Sequence, residues 1–466
     1  MDRLAEARPA SAFPPARRGL RRFGAAALAV SLAIAAGPAR AAEADDGPAL
    51  GEAMDRLGWR LVSTLTEADG EANVLVSPWG LASVLAVLDL GAADDDKGAL
   101  AEAWTGEAVA ADAVLEAMSG MRAALGDSAT DGAAFQDANG IWVASPMVVK
   151  PDTAEAAEGA LEVQVASVDF ADPATAKALN AWAEARTDGA IPVLLAQVDP
   201  ALRAVVANAL HYKAPWEHPF APAQTQPGVF VTEGGDELPA TFMRGVFPDL
   251  AVESTDLFDR VALPLGDGAT SLRLTLPTEG HGLDDVLDEM LAAEEDDTPI
   301  EPRAGQVVSL SVPRFGVTAG GDLTDALTAI GLGLLFDGSV DFSNLADGLN
   351  RFDHLHQRVR LALDEAGLEA AAVTVATSVR GMPQDADLSL VFDRPFLVDL
   401  VHGPSGAVLL SGAVTHPEDE AADVDANPAP DEDGAAGEDS DDEGSAEDAP
   451  SEEAPSEEAP AEAAPQ

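Results

Sequence analysis

The chain runs to 466 residues, with 26 basic against 82 acidic side chains, a formal net charge of −56 and no cysteine. Framework disulfides and thiol catalysis are therefore excluded, and the acidic excess argues against nucleic acid or an anionic membrane as partner, because both need clustered Lys and Arg. Hydrophobic residues make up 47% of the chain, enough for a large core without covalent staples.

Residues 1–41 read as a signal peptide. Arg17, Arg18, Arg21 and Arg22 form a basic head, an uncharged apolar run follows from Phe23 to Ala36, and Ala39-Arg40-Ala41 is a small-x-small cleavage pattern. The run is shorter than the ~20 residues of a membrane span. The expectation is export, to the periplasm or the extracellular space. Residues 42–417 contain no linker and no repeat and read as one domain, which carries 19 basic and 60 acidic residues. Residues 418–466 hold 20 acidic residues, no Lys or Arg, and a closing near-repeat of Pro-Ser-Glu-Glu-Ala. Self-repulsion without apolar residues predicts a disordered tail there.

Within the domain, Leu50, Met54, Leu57, Leu61 and Leu65 recur at helical spacing. Asn73 to Val76 is a short apolar strand, and Ser77-Pro78 supplies an N-cap and first-turn proline for a helix carrying Leu81, Val84, Leu85 and Leu88. Leu272, Leu274 and Leu276 alternate with polar residues before Pro277, as do Val308, Leu310 and Val312 before Pro313. A helix is expected from Asp322 to Ile330. Phe396 to Val401 and Ala407 to Val414 read as strands of a hairpin turning at 402–406. The mixture predicts an α+β fold with antiparallel sheet.

Catalytic constellations are missing. There is no G-x-S-x-G elbow and no P-loop, and carboxylates are too abundant to single out a catalytic pair. His354 and His356 have the spacing of a strand-borne metal pair but lack an evident third ligand in the sequence, so no metal site is assigned. The run Asp94-Asp95-Asp96 lacks calcium-loop spacing. No catalytic site and no cofactor site is singled out by these residues. One segment stands apart: Glu369 to Val379 contains no Pro, no Gly and no large side chain, its second half is β-branched, and Arg380-Gly381-Met382-Pro383 follows.

Leu390-Val391-Phe392-Asp393-Arg394-Pro395-Phe396-Leu397-Val398-Asp399-Leu400 resembles the C-terminal signature of the serpin family. Other stretches resemble the family in the same order along the chain. They are Asn73 to Trp79, Leu179 to Trp182, Thr187 to Pro192, Val206 to Lys213 with Trp216 and Phe220, Val312 to Phe315, and Leu327 to Gly331. The resemblance covers nearly all of residues 50–417 and is that of an exported bacterial member. It implies three β-sheets, eight or nine helices and an exposed reactive loop. It also implies a monomer whose partner is a serine protease, trapped as a covalent acyl complex when the cleaved loop inserts into the main sheet.

Glu365-Ala366-Gly367-Leu368-Glu369-Ala370-Ala371-Ala372 then matches the loop hinge. The family's usual spacing from Gly367 places the scissile bond at Gly381-Met382, while Arg380-Gly381, one residue earlier, suits a trypsin-like pocket. Elastase-like or subtilisin-like proteases would use Val379 or Gly381. Ser77, Asn208, Gln357 and Trp216 fall in the family's sheet-opening region, with Gln357 in place of the usual histidine and Gly80 in place of a serine. Leu368 occupies the first inserting position, where small residues are usual, and implies slower insertion. The alternative is a non-inhibitory serpin acting as an extracellular binding or structural protein. A heparin-like cofactor is not expected, since no helix of the domain is basic.

Overall fold

The computed structural model describes residues 50–128, 130, 132–195, 198–292, 307–369 and 386–419. The expected signal peptide, the tail beyond Asp419, and the segment 370–385 with Ala370, Ala371, Ala372, Arg380, Gly381 and Met382 lie outside the described residues.

Eight α-helices and three sheets make up the described fold. The helices are α1 (Leu50–Ala68), α2 (Pro78–Leu90), α3 (Ala99–Thr105), α4 (Ala111–Asp127), α5 (Pro151–Leu161), α6 (Ala174–Arg186), α7 (Leu283–Ala292) and α8 (Thr324–Leu327). The helical stripe of α1 buries Leu50, Met54, Leu57 and Leu61. Ser77 caps α2 as expected, its hydroxyl accepting from the Gly80 amide. Nearly every residue of α2 is buried, as suits a helix apolar on all sides. The helix expected from Asp322 to Ile330 is shorter. Asp322 closes a strand, α8 begins at Thr324, and residues from Thr328 to Leu332 form a π-turn. Backbone pairing with the next strand holds Asp322 extended against its helical neighbours.

One six-stranded sheet has the order β1 (Val74–Val76), β16 (Ala407–Val414), β15 (Phe396–His402), β9 (Thr270–Pro277), β8 (Phe258–Pro264), β7 (Ala251–Ser254). It contains the predicted C-terminal hairpin, whose two strands are buried along their whole length. A four-stranded sheet runs β14 (Leu388–Val391), β10 (Val307–Pro313), β6 (Glu237–Pro248), β5 (Gln226–Val231). The main sheet runs β11 (Phe315–Asp322), β12 (His354–Leu363), β13 (Gly367–Leu368), β4 (Ala204–Pro215), β2 (Ala134–Ala144), β3 (Gln164–Val168).

The main sheet lies between two apolar layers. Its inner face joins the principal core with α1 and α2. On its outer face Ala138, Trp142, Val205, Ala207 and Ala209 pack with Leu179 and Ala183 of α6, and Trp142 meets Trp182 edge-on at 5.0 Å. No described helix is long and apolar enough to cross a membrane.

Candidate functional site: a seam in the main sheet

β12 and β4 form a parallel pair from His354↔Val205 to Arg360↔His211. Two parallel neighbours leave room between them for a strand running the opposite way to both. β13 already takes that place at one end. Leu368 pairs antiparallel with Leu363 of β12 and with Ala214 of β4, and its side chain is 0% exposed. The resemblance makes Leu368 the first residue of the inserting segment; here it already lies in the sheet. The tight fit explains Gly367. A Cβ there would stand 2.2 Å from the Ala214 carbonyl oxygen and 2.6 Å from the Pro215 Cα.

The hinge is held on both flanks. The Trp216 amide donates to the Ala366 carbonyl and its indole Nε1 to the Asp364 carbonyl, both at 2.9 Å. Thr225 Oγ1 donates to Glu365 Oε1 at 2.7 Å, and the Phe220 amide donates to the Glu365 carbonyl at 3.0 Å. Arg314 approaches Glu365 at 3.8 Å and binds the Asp419 carboxylate through two nitrogens at 2.9 and 2.8 Å. Glu418 and Asp419, grouped with the tail on composition, are thus bonded to the domain, Glu418 by its carbonyl to the Gly316 amide at 2.9 Å.

Glu369 is the last described residue before the gap, and its φ of 43° turns the chain out of strand geometry. Its carboxylate meets His211 Nε2 from β4 and Arg360 Nε from β12, so one side chain spans the seam. Burial acts to raise this carboxyl, but the hydrogen bond from His211 and the charges of His211 and Arg360 outweigh it and hold it below the usual range.

Lower in the seam a polar cluster ties the two strands to α2. Gln357 and Asn208 are register partners, both 0% exposed. Gln357 Oε1 accepts from the Ser77 amide at 2.8 Å, and its Nε2 donates to the Ser77 carbonyl at 3.1 Å and to Asn208 Oδ1 at 2.9 Å. Ser77 Oγ donates to the Leu409 carbonyl at 2.8 Å. The Gln357 substitution therefore preserves a bridge, because an amide offers both donor and acceptor. Gly80 also acquires a reason: a Cβ there would overlap the Asn208 amide at 2.2–2.4 Å.

The cluster extends to residues that sequence reading did not select. Asn208 Nδ2 donates to Asn139 Oδ1, and Asn139 Nδ2 donates to Asp137 Oδ2 at 2.9 Å. Asp137 also receives Trp79 Nε1 at 3.1 Å and both guanidinium nitrogens of Arg122 at 2.9 and 3.0 Å. The available signal was Asp137 and Asn139, two apart and so on one face of a strand that is mostly apolar. Ser77, Asn208 and Gln357 come together, and Trp216 stands apart from them at the hinge. The His354 and His356 pair also gains a companion absent from the sequence reading: Asp322 of β11 lies beside both.

The comparisons agree with this architecture. Residues 52–417 match the family model described as serpin (serine protease inhibitor). Serpin-Z1B of Triticum aestivum is 31% identical over 385 residues, covering 78% of this chain and 95% of the relative. Glia-derived nexin of Rattus norvegicus is 27% identical, covering 77% and 91%. Among solved structures, Arabidopsis AtSerpin1 in its native stressed conformation superposes with a TM-score of 0.70 at 24% identity, covering 80% of this chain and 99% of that one. The thermophilic serpin tengpin in its native state gives 0.68 at 19%, covering 80% and 96%. With three sheets, a hinge seated at the head of a parallel seam and a family match across the domain, the chain belongs to the serpins, a family of protease inhibitors and not of catalytic enzymes.

Proposed function

We propose that this serpin is exported and acts as an irreversible suicide-substrate inhibitor of serine proteases of trypsin-, elastase- or subtilisin-like type. The observation that carries the reading is the register of β13. Leu368 faces Leu363 and Ala214, which are 149 positions apart in the chain, and every β12–β4 pair has that same offset. A strand continuing from Leu368 thus meets both neighbours without a slip as far as His354 and Val205, where residue 377 would lie. Slippage by one residue would turn every side chain to the wrong face; none is needed.

Continued in this register, Ala370, Ala372, Thr374 and Ala376 would follow Leu368 onto the core face, and Ala371, Val373, Val375 and Thr377 would face out. The core-facing set is small and the outward set mostly β-branched, which suits a strand entering a closed sheet. Leu368, the one large inward residue, needs no further movement. Thr374 would arrive between Gln357 and Asn208, where its hydroxyl can replace the hydrogen bond lost as those side chains part. Each broken backbone bond of the β12–β4 ladder is exchanged for bonds along both edges of the new strand, which drives insertion forward.

Protease attack at Arg380-Gly381 or Gly381-Met382 would form an acyl-enzyme. The 15 residues from Gly367 to Gly381 span roughly 50 Å as a strand, so full insertion carries the acylated protease across the molecule and distorts its active site before water can release it. The inhibitor is proposed to act as a monomer, forming one covalent acyl complex per cleavage. Export rests on the Arg-rich head, apolar run and Ala39-Arg40-Ala41.

The test is to incubate the chain lacking residues 1–41 with trypsin, elastase and subtilisin and examine denaturing gels by mass spectrometry. The expected result is a covalent adduct with at least one protease, plus a C-terminal fragment beginning at Gly381 or Met382. Loop cleavage by all three without adduct would favour the non-inhibitory alternative.

A further inference from the structure

At the far end of the seam from the hinge, one cluster of side chains is not used by the loop mechanism. His354 and His356 are two apart on β12, so both leave the same face of the strand. Asp322, the last residue of β11, is the cross-strand partner of His356. Its Oδ2 accepts from His354 Nδ1 at 2.6 Å, and the two imidazole rings lie 5.6 Å apart with a 36° tilt. One donor atom from each residue falls within 4.8 Å of the other two.

Two imidazole nitrogens and one carboxylate oxygen are the donors that zinc accepts, at about 2.0–2.2 Å each. A tetrahedral ion needs those donors about 3.4 Å apart, within reach of small rotations by side chains that are 42% (His354) and 38% (Asp322) exposed. The backbone beneath them is fixed by the β11–β12 ladder. The second carboxylate oxygen of Asp322 is also held, accepting from the Thr324 amide at 3.0 Å and from its hydroxyl. Such an outer hydrogen bond orients a ligating carboxylate. The exposed side leaves a fourth position for water. Calcium and magnesium, which favour all-oxygen sites, are poorly matched.

We propose that Asp322, His354 and His356 form a binding site for a divalent transition-metal ion of the zinc type, clasping β11 to β12 at the end of the main sheet remote from the hinge. All three donors lie on one side of the β12–β4 seam. Loop insertion parts β12 from β4 and leaves β11 paired with β12, so the site is present in both loop states. Its occupancy is independent of the inhibitory reading.

The test is calorimetric titration of the metal-stripped chain with zinc chloride in millimolar calcium, which occupies the carboxylates of the acidic tail. Visible absorption of the cobalt-substituted protein runs in parallel. One zinc ion per chain is expected, with cobalt bands of four-coordinate nitrogen and oxygen ligation. His354→Ala and His356→Ala should each weaken zinc by more than the ~10–100-fold that loss of an outer hydrogen-bond partner costs, and should abolish the cobalt bands. Melting in EDTA checks that each variant folds, and Asp322→Asn provides an independent third variant. No zinc uptake in the presence of calcium, or uptake unchanged in the histidine variants, would overturn the assignment.

Discussion

Replacing Gln357 with alanine tests whether the polar cluster holds the native sheet closed. The side chain is fully buried and makes three hydrogen bonds, two to the Ser77 backbone and one to Asn208. The Ser77 carbonyl keeps a second donor, the Leu81 amide at 3.0 Å, so its loss is small. The Ser77 amide loses its acceptor and Asn208 Oδ1 loses its donor in a site closed to solvent. An orphaned buried group costs ~1–3 kcal/mol, and the vacated volume adds about 1 kcal/mol, giving about 4 kcal/mol in all. For a domain of about 370 residues the unfolding entropy is ~0.8 kcal/mol/K, so the native melt should fall by about 5 °C. Parent and variant are compared at one scan rate, because the melt of a large domain that unfolds irreversibly depends on the rate of heating. The same substitution in loop-cleaved protein should cost about 1 kcal/mol less. There an inserted strand would separate β12 from β4 by two strand spacings, ~9.6 Å, and the Asn208 bond would already be gone. A native melt within about 1 °C of the parent would refute the claim that this cluster clamps the seam.

Four further outcomes follow from the same geometry. Ala370→Pro removes the N–H at the first core-facing position beyond Leu368 and should convert an inhibitor into a substrate; adduct at the parental yield on denaturing gels would sink the insertion mechanism. Thr374→Val should leave the native melt unchanged but slow insertion by about 5–30-fold, seen as a raised stoichiometry of inhibition, while an unchanged stoichiometry would remove Thr374 from the cluster. Gly367→Ala sets a Cβ against the Ala214 carbonyl at 2.2 Å; it should displace β13 and speed exchange of the Leu368 amide, and unaltered protection there would contradict the tight fit. Glu369 has its folded pKa depressed. Its contribution is therefore complete above the ordinary carboxyl value and lost as pH falls through the folded one, which lies below it. Hinge proteolysis should rise at acid pH in the parent and be high at every pH in Glu369→Gln; an acid response surviving in that variant would assign it to another group.

Much of the fold was legible in local pattern. The stripe of α1, the Ser77-Pro78 start of α2, the alternation of β9 and β10 and the C-terminal hairpin each follow from spacing within a dozen residues, because helical and extended backbones repeat on that scale. The small-residue run after Glu369 was equally plain as composition, and its meaning came from resemblance. What local pattern could not supply was register. Leu368 read as an obstacle to insertion, and it is already inserted, because Leu363 and Ala214 close around it from opposite strands. Gln357 read as a departure, and it bridges Ser77 and Asn208, which lie 280 and 149 positions away. Asp322 read as the start of a helix, and its pairing with His356 makes it the end of a strand and the third member of a histidine cluster. Sequence by itself determined which segments could be helix or strand, since those depend on neighbours along the chain. Only the tertiary structure decided which side chains meet across the seam, since burial and pairing there depend on how distant strands align.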